Sequence, residues 1–423
     1  MNGNQPYAYF EDRLIERFTR YARICTTSDR HAAETPSTAG QWELARMLAE
    51  ELRALGIDDV EITQHCYVIA RITGDSSLTP IGFLAHLDTA QDVSGHDVQV
   101  VAEKYNGSII TLNNGIVLDP AREEGLAAQQ GRTIIHTDGT TLLGADDKAG
   151  IAEIVTAVEY LIAHPEIVRP PLEIIFSPDE ETGKGLPELP LEKLRARFCY
   201  TLDGGGAPEV EAECFNAYAA RVLFAGHVIH PGAARGRLVN AAAMAAYFIT
   251  LLPRTESPEA TDGYYGYYCV TDLTGNHETA AADIIVRDFE RTGMERRLAA
   301  LTAFARATEA AFPGGIVTVT TKSSYYNMKE KIDSAPQVLD KLRAAAHTLG
   351  LEIKFRPVRG GTDGSRLTEL GIPTPNIWTG GRNFHSRAEW VSVNDMCLAV
   401  RLVIELVRCW GRVEDGTDKP VAK

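Results

Sequence analysis

The sequence predicts an α/β protein, a sheet flanked by helices, interrupted by a second domain of α+β sandwich type. Short apolar runs recur at residues 80–87 (PIGFLAHL), 171–177 (PLEIIFS) and 198–202 (FCYTL). Their length and composition mark buried strands. Each ends in a polar cluster: His86 with Asp88, Asp179 with Glu180 and Glu181, and Asp203. Helical spacing separates the runs, so the pattern is that of an α/β sheet whose ligand site lies along the carboxyl ends of its strands. From Phe215 the character changes to strands that alternate apolar with polar residues.

Taken in order, residues 11–21 have helical spacing. Residues 38–55 show it more clearly, with Trp42, Ala45, Leu48, Leu52 and Leu55 on one side and Gly56 as the stop. Residues 60–72 read as strand, followed by the run at 80–87. Residues 95–138 are polar and turn-rich, which predicts an irregular hairpin excursion. A helix is expected from Ala149 to about Ala163. Further on, strands are expected at 217–225 and 280–288, and helices at 240–251 and 291–312. That order of strand, helix, strand, helix makes a compact inserted sandwich. Residues 364–376 and 392–410 return to the α/β style, and the last dozen residues read as a solvated tail.

A chain of 423 residues is too long for one ordinary core and predicts two or three domains. The net charge of -15, with no basic stretch, excludes a nucleic-acid or anionic-membrane partner. The N-terminal sequence lacks the basic start and apolar core of a signal peptide, and no run is long enough to span a membrane, so a cytoplasmic protein is expected. Seven scattered cysteines without a CxxC pair indicate neither a disulfide framework nor a thiolate zinc site.

The stretch around which the chemistry gathers is residues 141–150, TLLGADDKAG. It sets Asp146 and Asp147 between a Gly-Ala hinge and an apolar helix. A carboxylate there can bridge two metal ions, since each oxygen has its own lone pairs; taken alone, the helix N-cap is the commoner reading. Carboxylate and imidazole groups without thiolates at several strand ends suit a two-metal hydrolytic centre, with zinc as the expected ion. One shared carboxylate would hold the ions roughly 3.5–4 Å apart, with a water pinned between them. A carboxylate that is not a ligand can take that water's proton.

The chain resembles the peptidase T family, bacterial zinc aminotripeptidases of the co-catalytic dizinc metallopeptidase clan that includes carboxypeptidase G and succinyl-diaminopimelate desuccinylase. The matching stretches are AHLDT (85–89), TDGTTLLGADDKAGIAE (137–153), PDEETGKG (178–185), YTLDGGG (200–206), HPG (230–232), IVRDF (285–289), SYYNMKEK (324–331), RGGTDG (359–364) and TGG-x-N-x-H (379–385). The zinc motifs alone mark the clan; DGTTLLGADDKAG, SYYNM and RGGTDG together mark the family.

The resemblance implies two zinc ions per subunit. His86 and Asp203 would hold one, Glu181 and His385 the other, with Asp146 as the bridge. Glu180 would be the general base, which agrees with neighbours in an extended segment pointing in opposite directions. Asp88 would accept the other ring N–H of His86 and fix its tautomer. A cis peptide would join Asp146 to Asp147. His230 would reach the partner subunit's active site in a homodimer and stabilise the oxyanion. Arg287, Arg359 and Asn240 would hold the terminal carboxylate of the peptide, the alternative for each arginine being a structural ion pair.

The implied architecture is a catalytic domain with a mixed sheet at 1–213 and 325–423, and a lid and dimerisation domain at 214–324. The implied activity is removal of the N-terminal residue from tripeptides through a zinc-bridging water activated by Glu180. Another hydrolase of the clan (a dipeptidase, carboxypeptidase or N-acyl amino acid deacylase) and a non-catalytic peptide-binding protein are the alternatives. Arg382 and Phe384 stand where relatives usually carry tyrosines, and His227 and Val228 where more polar residues are common, so residue preference along the peptide can differ.

Overall fold

The structure is a computed structural model that describes residues 7–412, with side chains from Tyr9. All but the first two residues of the expected tail lie outside the described residues. The chain forms two compact units. The first takes the residues up to Ala212, with Glu330–Arg356 and the chain from Thr362 onward; the second is Glu213–Lys329 with Pro357–Gly361.

The first unit is built on an eight-stranded mixed sheet. Its order is Asp59–Ile62, Val68–Ile72, Leu172–Ser177, Ile81–His86, Phe198–Gly204, Asn376–Trp378, Glu209–Glu211, Lys354–Phe355. The strands Leu172–Ser177, Ile81–His86, Phe198–Gly204 and Asn376–Trp378 run parallel. Helices cover such strands on both faces, which is why their sequences are almost continuously apolar. The register pairs His86 with Ser177 and Leu84 with Thr201. Continued two residues, it sets His86 level with Asp203.

Helices α1 (Tyr7–Ala22), α2 (Ala39–Ala54) and α3 (Ala145–Ala163) belong to this unit. Almost wholly buried, α3 packs on Ile81–His86, Phe198–Gly204, α1 and the helix Val393–Trp410. Gly150 permits that approach, because a Cβ there would lie 1.9 Å from the carbonyl oxygen of Leu202. The helix begins earlier than expected, but Asp146 and Asp147 inside its first turn have non-helical dihedrals.

The expected strand at 60–72 is a hairpin of two strands, turned at Cys66 with φ +69. Residues 95–138 are more than a hairpin excursion. Val100–Lys104 and Thr133–Thr137 pair antiparallel and join Trp390–Ser392 and Gly381–Arg382 in a second four-stranded sheet. Their partners are distant in sequence and two or three residues long, too short to carry a period. The helix Gln337–Thr348 was also not expected.

The second unit is an antiparallel sheet, order Tyr267–Gly275, Thr279–Asp288, Asn216–Ala225, Ile316–Tyr325, with helices Ala241–Leu251 and Arg291–Ala311. Val222, Phe224, Met244, Phe248, Ile284 and Leu301 form its core. It has two more strands than the expected order. Both are edge strands, and their polar, exposed residues hide the alternation. Against the expected 214–324, the unit also takes residues 357–361. Arg359 ties them in, donating to Gly263 O and Tyr265 O, both at 2.9 Å, and lying over Phe215.

Candidate metal centre

His86 ends a central strand and is buried. Its Nε2 lies 2.8 Å from Asp146 Oδ1 and 3.6 Å from Asp203 Oδ1. The other oxygen of Asp146, Oδ2, is 3.2 Å from His385 Nε2, which is 3.0 Å from Glu181 Oε1. Two metal-capable triads, His86-Asp146-Asp203 and Asp146-Glu181-His385, therefore share one carboxylate, with a different imidazole facing each of its oxygens.

Each member is fixed by backbone contacts. His86 Nδ1 sits 3.0 Å from the carbonyl oxygen of Asp88, a contact in which the ring donates, so that Nε2 is the nitrogen turned toward Asp146 and Asp203. The expected partner, the Asp88 carboxylate, is farther from Nδ1 at 3.4 Å. It serves elsewhere: Glu180 N donates to Oδ1 at 2.9 Å and Glu181 N to Oδ2 at 3.1 Å.

These glutamates are not in an extended segment, so the expected alternation is not what separates them. They lie in a 3-10 turn, Glu180–Thr182, preceded by Asp179 at φ +61. The Asp179 carboxylate is buried and accepts from Ser37 N, Ser37 Oγ and Gln41 Nε2 at 2.5–3.0 Å. Asp203 N donates to Asn376 Oδ1 on the neighbouring strand at 3.0 Å.

Around Asp146 the chain curls about the buried Glu389. Its Oε2 accepts from Leu143 N at 2.8 Å and Gly144 N at 2.9 Å, and its Oε1 from Ala145 N at 2.8 Å and Asp146 N at 3.2 Å. Gly144, at φ +75, allows the left-handed turn. The peptide between Asp146 and Asp147 is cis, and Asp147 Oδ2 accepts from His86 N at 3.1 Å. His385 lies in a turn at φ +60, its Nδ1 3.5 Å from Asp92 Oδ2.

Burial pushes the carboxyls of Asp203 and Glu181 up to about 7. Burial would also raise Asp146, but the imidazoles of His385 and His86 hold it below the usual aspartate range. Asp146 and Glu181 lift His385 to about 11. Burial lifts Glu180 well above the glutamate range; His86 pulls it back, while Asp203, Asp363 and Glu181 add to the rise.

Among the described residues, no lysine or arginine forms an ion pair with Asp146, Glu181 or Asp203. Buried Lys148 donates instead to Ile24 O at 2.7 Å. Glu181 Oε1 is buried without a hydrogen bond despite its closeness to His385 Nε2. Acidic oxygens and imidazole nitrogens without counter-cations fit divalent ions of the zinc type.

The structure thus brings together His86, Asp146, Glu181, Asp203 and His385, with Glu180 and Asp88 beside them. His230, Asn240, Arg287 and Arg359 belong to the second unit. His230 is exposed, and its Nδ1 accepts from Gly232 N at 3.1 Å, so a neutral ring carries its proton on Nε2. Asn240 caps the helix Ala241–Leu251 through Oδ1, leaving its amide hydrogens unused by the cap. The Nη1 of Arg287 donates to Val286 O at 3.1 Å and Tyr218 O at 3.4 Å, and Arg359 spends three hydrogen bonds on residues 261–265. Both arginines are held structurally by their own unit.

Sequence reasoning missed Glu389 and Asp92, and placed Asp179 in its acidic cluster without a role of its own. Glu389 had a cue: an acid directly before the apolar Trp-Val of a short buried strand. His136 is buried, with Nε2 3.2 Å from Glu103 Oε1.

With an α/β sheet whose strand ends gather two metal-capable triads, the chain belongs to peptidase family M20/M25/M40, whose model matches residues 135–408. It is 44% identical to Peptidase T of Geobacillus thermodenitrificans, over 94% of this chain and 98% of that one. In fold it is similar to aminopeptidase PepT of Bacillus cereus, with a TM-score of 0.74 and 21% identity over 95% and 99% of the two chains. It also resembles a protein of Bacillus subtilis described as a dinuclear metal-binding peptidase of the M20 family, with a TM-score of 0.66 and 15% identity over 95% and 98%.

Proposed function

We infer that the protein is a metallo-aminopeptidase that removes the N-terminal residue from tripeptides. The observation that carries this is the shared carboxylate of Asp146 between two triads, in a chain 44% identical along nearly its whole length to Peptidase T. Two zinc ions per subunit are the proposed cofactors, one held by His86, Asp203 and Asp146, the other by Glu181, His385 and Asp146. When bound, they acidify a water between them and polarise the scissile carbonyl.

The chain's own groups do the rest. Glu180, part-buried beside the two triads, takes the proton of the attacking water and gives it to the departing amine. His230, with its proton on Nε2, donates to the oxyanion from the partner subunit of a homodimer. The amide hydrogens of Asn240 are open to the substrate carboxylate. Arg287 spends Nη1 and Arg359 spends Nη1 and Nη2 on the bonds described, so each guanidinium has further N–H groups to offer. No helix among the described residues is long and apolar enough to cross a membrane, and a cytoplasmic location is proposed.

The test is hydrolysis of di-, tri- and tetra-alanine and N-acetylated tri-alanine by zinc-loaded protein, with a chelated control. Cleavage confined to the free-amine tripeptide is expected, and Glu180→Gln should lower kcat about 10²–10⁴-fold with zinc retained. Preference for the dipeptide or the acetylated substrate would move the enzyme to another activity of its clan.

A further inference from the structure

Glu389 is 1% exposed, and four successive amides close on its carboxylate. Both oxygens accept two N–H groups each, an arrangement suited to the ionised form; burial works against it, pushing the carboxyl up to about 7. Amides curled in this way form an anion nest whose dipoles take the place of a counter-cation. The last amide is that of Asp146 itself.

On its other side Glu389 is tied to His385 through a tight turn. Glu389 N donates to Ser386 O at 3.3 Å, Asn383 Nδ2 to Ala388 O at 3.1 Å, and Ser386 Oγ to Asn383 O at 2.7 Å. Trp390 then enters a strand paired with His136.

Building on the reading of Asp146 and His385 as metal ligands, we propose that Glu389 is the positioning residue that sets the spacing between them. Its carboxylate joins the 143–146 segment to the 383–389 turn, beside the contact of Asp146 with His385 and a bond from Arg387 Nε to Thr140 O at 3.3 Å. Without it, Asp146 keeps its approach to His86 through the strand edge, and its approach to His385 loses its frame. The ion held by Glu181 and His385 depends on Glu389 more than the other does.

The experiment is calorimetric titration of metal-stripped full-length protein with Zn2+, for wild type, Glu389→Gln, Glu389→Asp and Glu173→Gln, with thermal melts of each metal-free protein. Glu173 is the control. It too is buried and holds two amides, Arg195 N at 2.7 Å and Ala196 N at 2.6 Å, but it joins no ligand loops.

In Glu389→Gln one of the two zinc constants should fall about 10–100-fold and the other less, with a metal-free melting temperature close to that of Glu173→Gln, whose zinc constants stay at wild-type values. Glu389→Asp, which keeps the charge on a shorter arm, should recover part of the loss. Two wild-type zinc constants in Glu389→Gln overturn the proposal, as does an equal loss in Glu173→Gln. If Glu389→Gln fails to fold, unchanged constants in folded Glu389→Asp overturn it instead. A wild-type protein that does not bind two zinc ions removes the metal-centre reading as well as this proposal; unaltered binding in the variant removes only the proposal.

Discussion

In the helical layer of the first unit, carboxylates meet guanidinium groups. Arg17 contacts Glu51 and Glu159, each at 2.7 Å; Arg20 adds 2.9 Å to Glu51, and Arg13 adds 3.1 Å to Glu159. At the strand ends of the same unit, carboxylates equally withdrawn from water meet no such group. Asp88, Asp179 and Glu389 are held by backbone amides and short polar side chains, and Asp146, Glu181 and Asp203 face imidazoles. Charge is neutralised by guanidinium groups in one region, and in the other it rests on backbone dipoles and imidazoles. The difference separates acids that stabilise a fold from acids arranged to receive a cation.

The comparison breaks most readily at Asp146. Asp146→Ala should lose zinc at both positions, by more than the roughly 10–100-fold that an outer partner costs. Retained stoichiometry in metal analysis would make Asp146 an ordinary helix-start acid. Next comes Asp88→Asn, which should weaken zinc binding about 10–100-fold because one oxygen of the clamp on Glu180 N and Glu181 N becomes a donor. The corresponding change in the helical layer, Arg17→Met, should leave zinc binding alone and lower stability by about 1–3 kcal/mol in denaturant unfolding, by taking one partner from each of two part-buried carboxylates that keep Arg20 and Arg13.

The smallest effect concerns pH. Burial would raise the Glu159 carboxyl, but Arg17 and then Arg13 outweigh it and hold it below the usual glutamate range. A depressed carboxyl contributes stability that is complete above its unfolded value of about 4.3 and is lost as pH falls through its lower folded value. Glu159→Gln should therefore melt below wild type at pH 7, and the gap should close as the pH is taken below about 4. A constant gap between pH 7 and pH 3 would show that Glu159 acts by packing rather than by charge.

The central strands could be read from the sequence because parallel strands buried on both faces are written as apolar runs, as in PIGFLAHL and PLEIIFS. The acids and histidine that follow them named the metal-facing cluster for the same reason. What stayed hidden depends on contacts distant in sequence. The strands Gly381–Arg382 and Trp390–Ser392 are too short to show a period, and Glu389 works through amides more than two hundred residues earlier. The 3-10 turn at Glu180 is set by Asp179 reaching Ser37 and Gln41, a contact that no local pattern announces. In the second unit, edge strands with exposed threonines resemble loops until their partners are placed.

The ligand order along the chain also has a consequence for synthesis. His86, Asp146 and Asp203 have all left the ribosome while His385 is still unmade, and at about 5–20 residues per second the wait is roughly ten to forty seconds. The strand Asn376–Trp378, which anchors Asp203 through Asn376, emerges only just ahead of His385. A nascent chain can offer at most half a metal site until its closing moments. On the proposed ligand set, capture of ions as a pair is thereby deferred until residue 385 has been made.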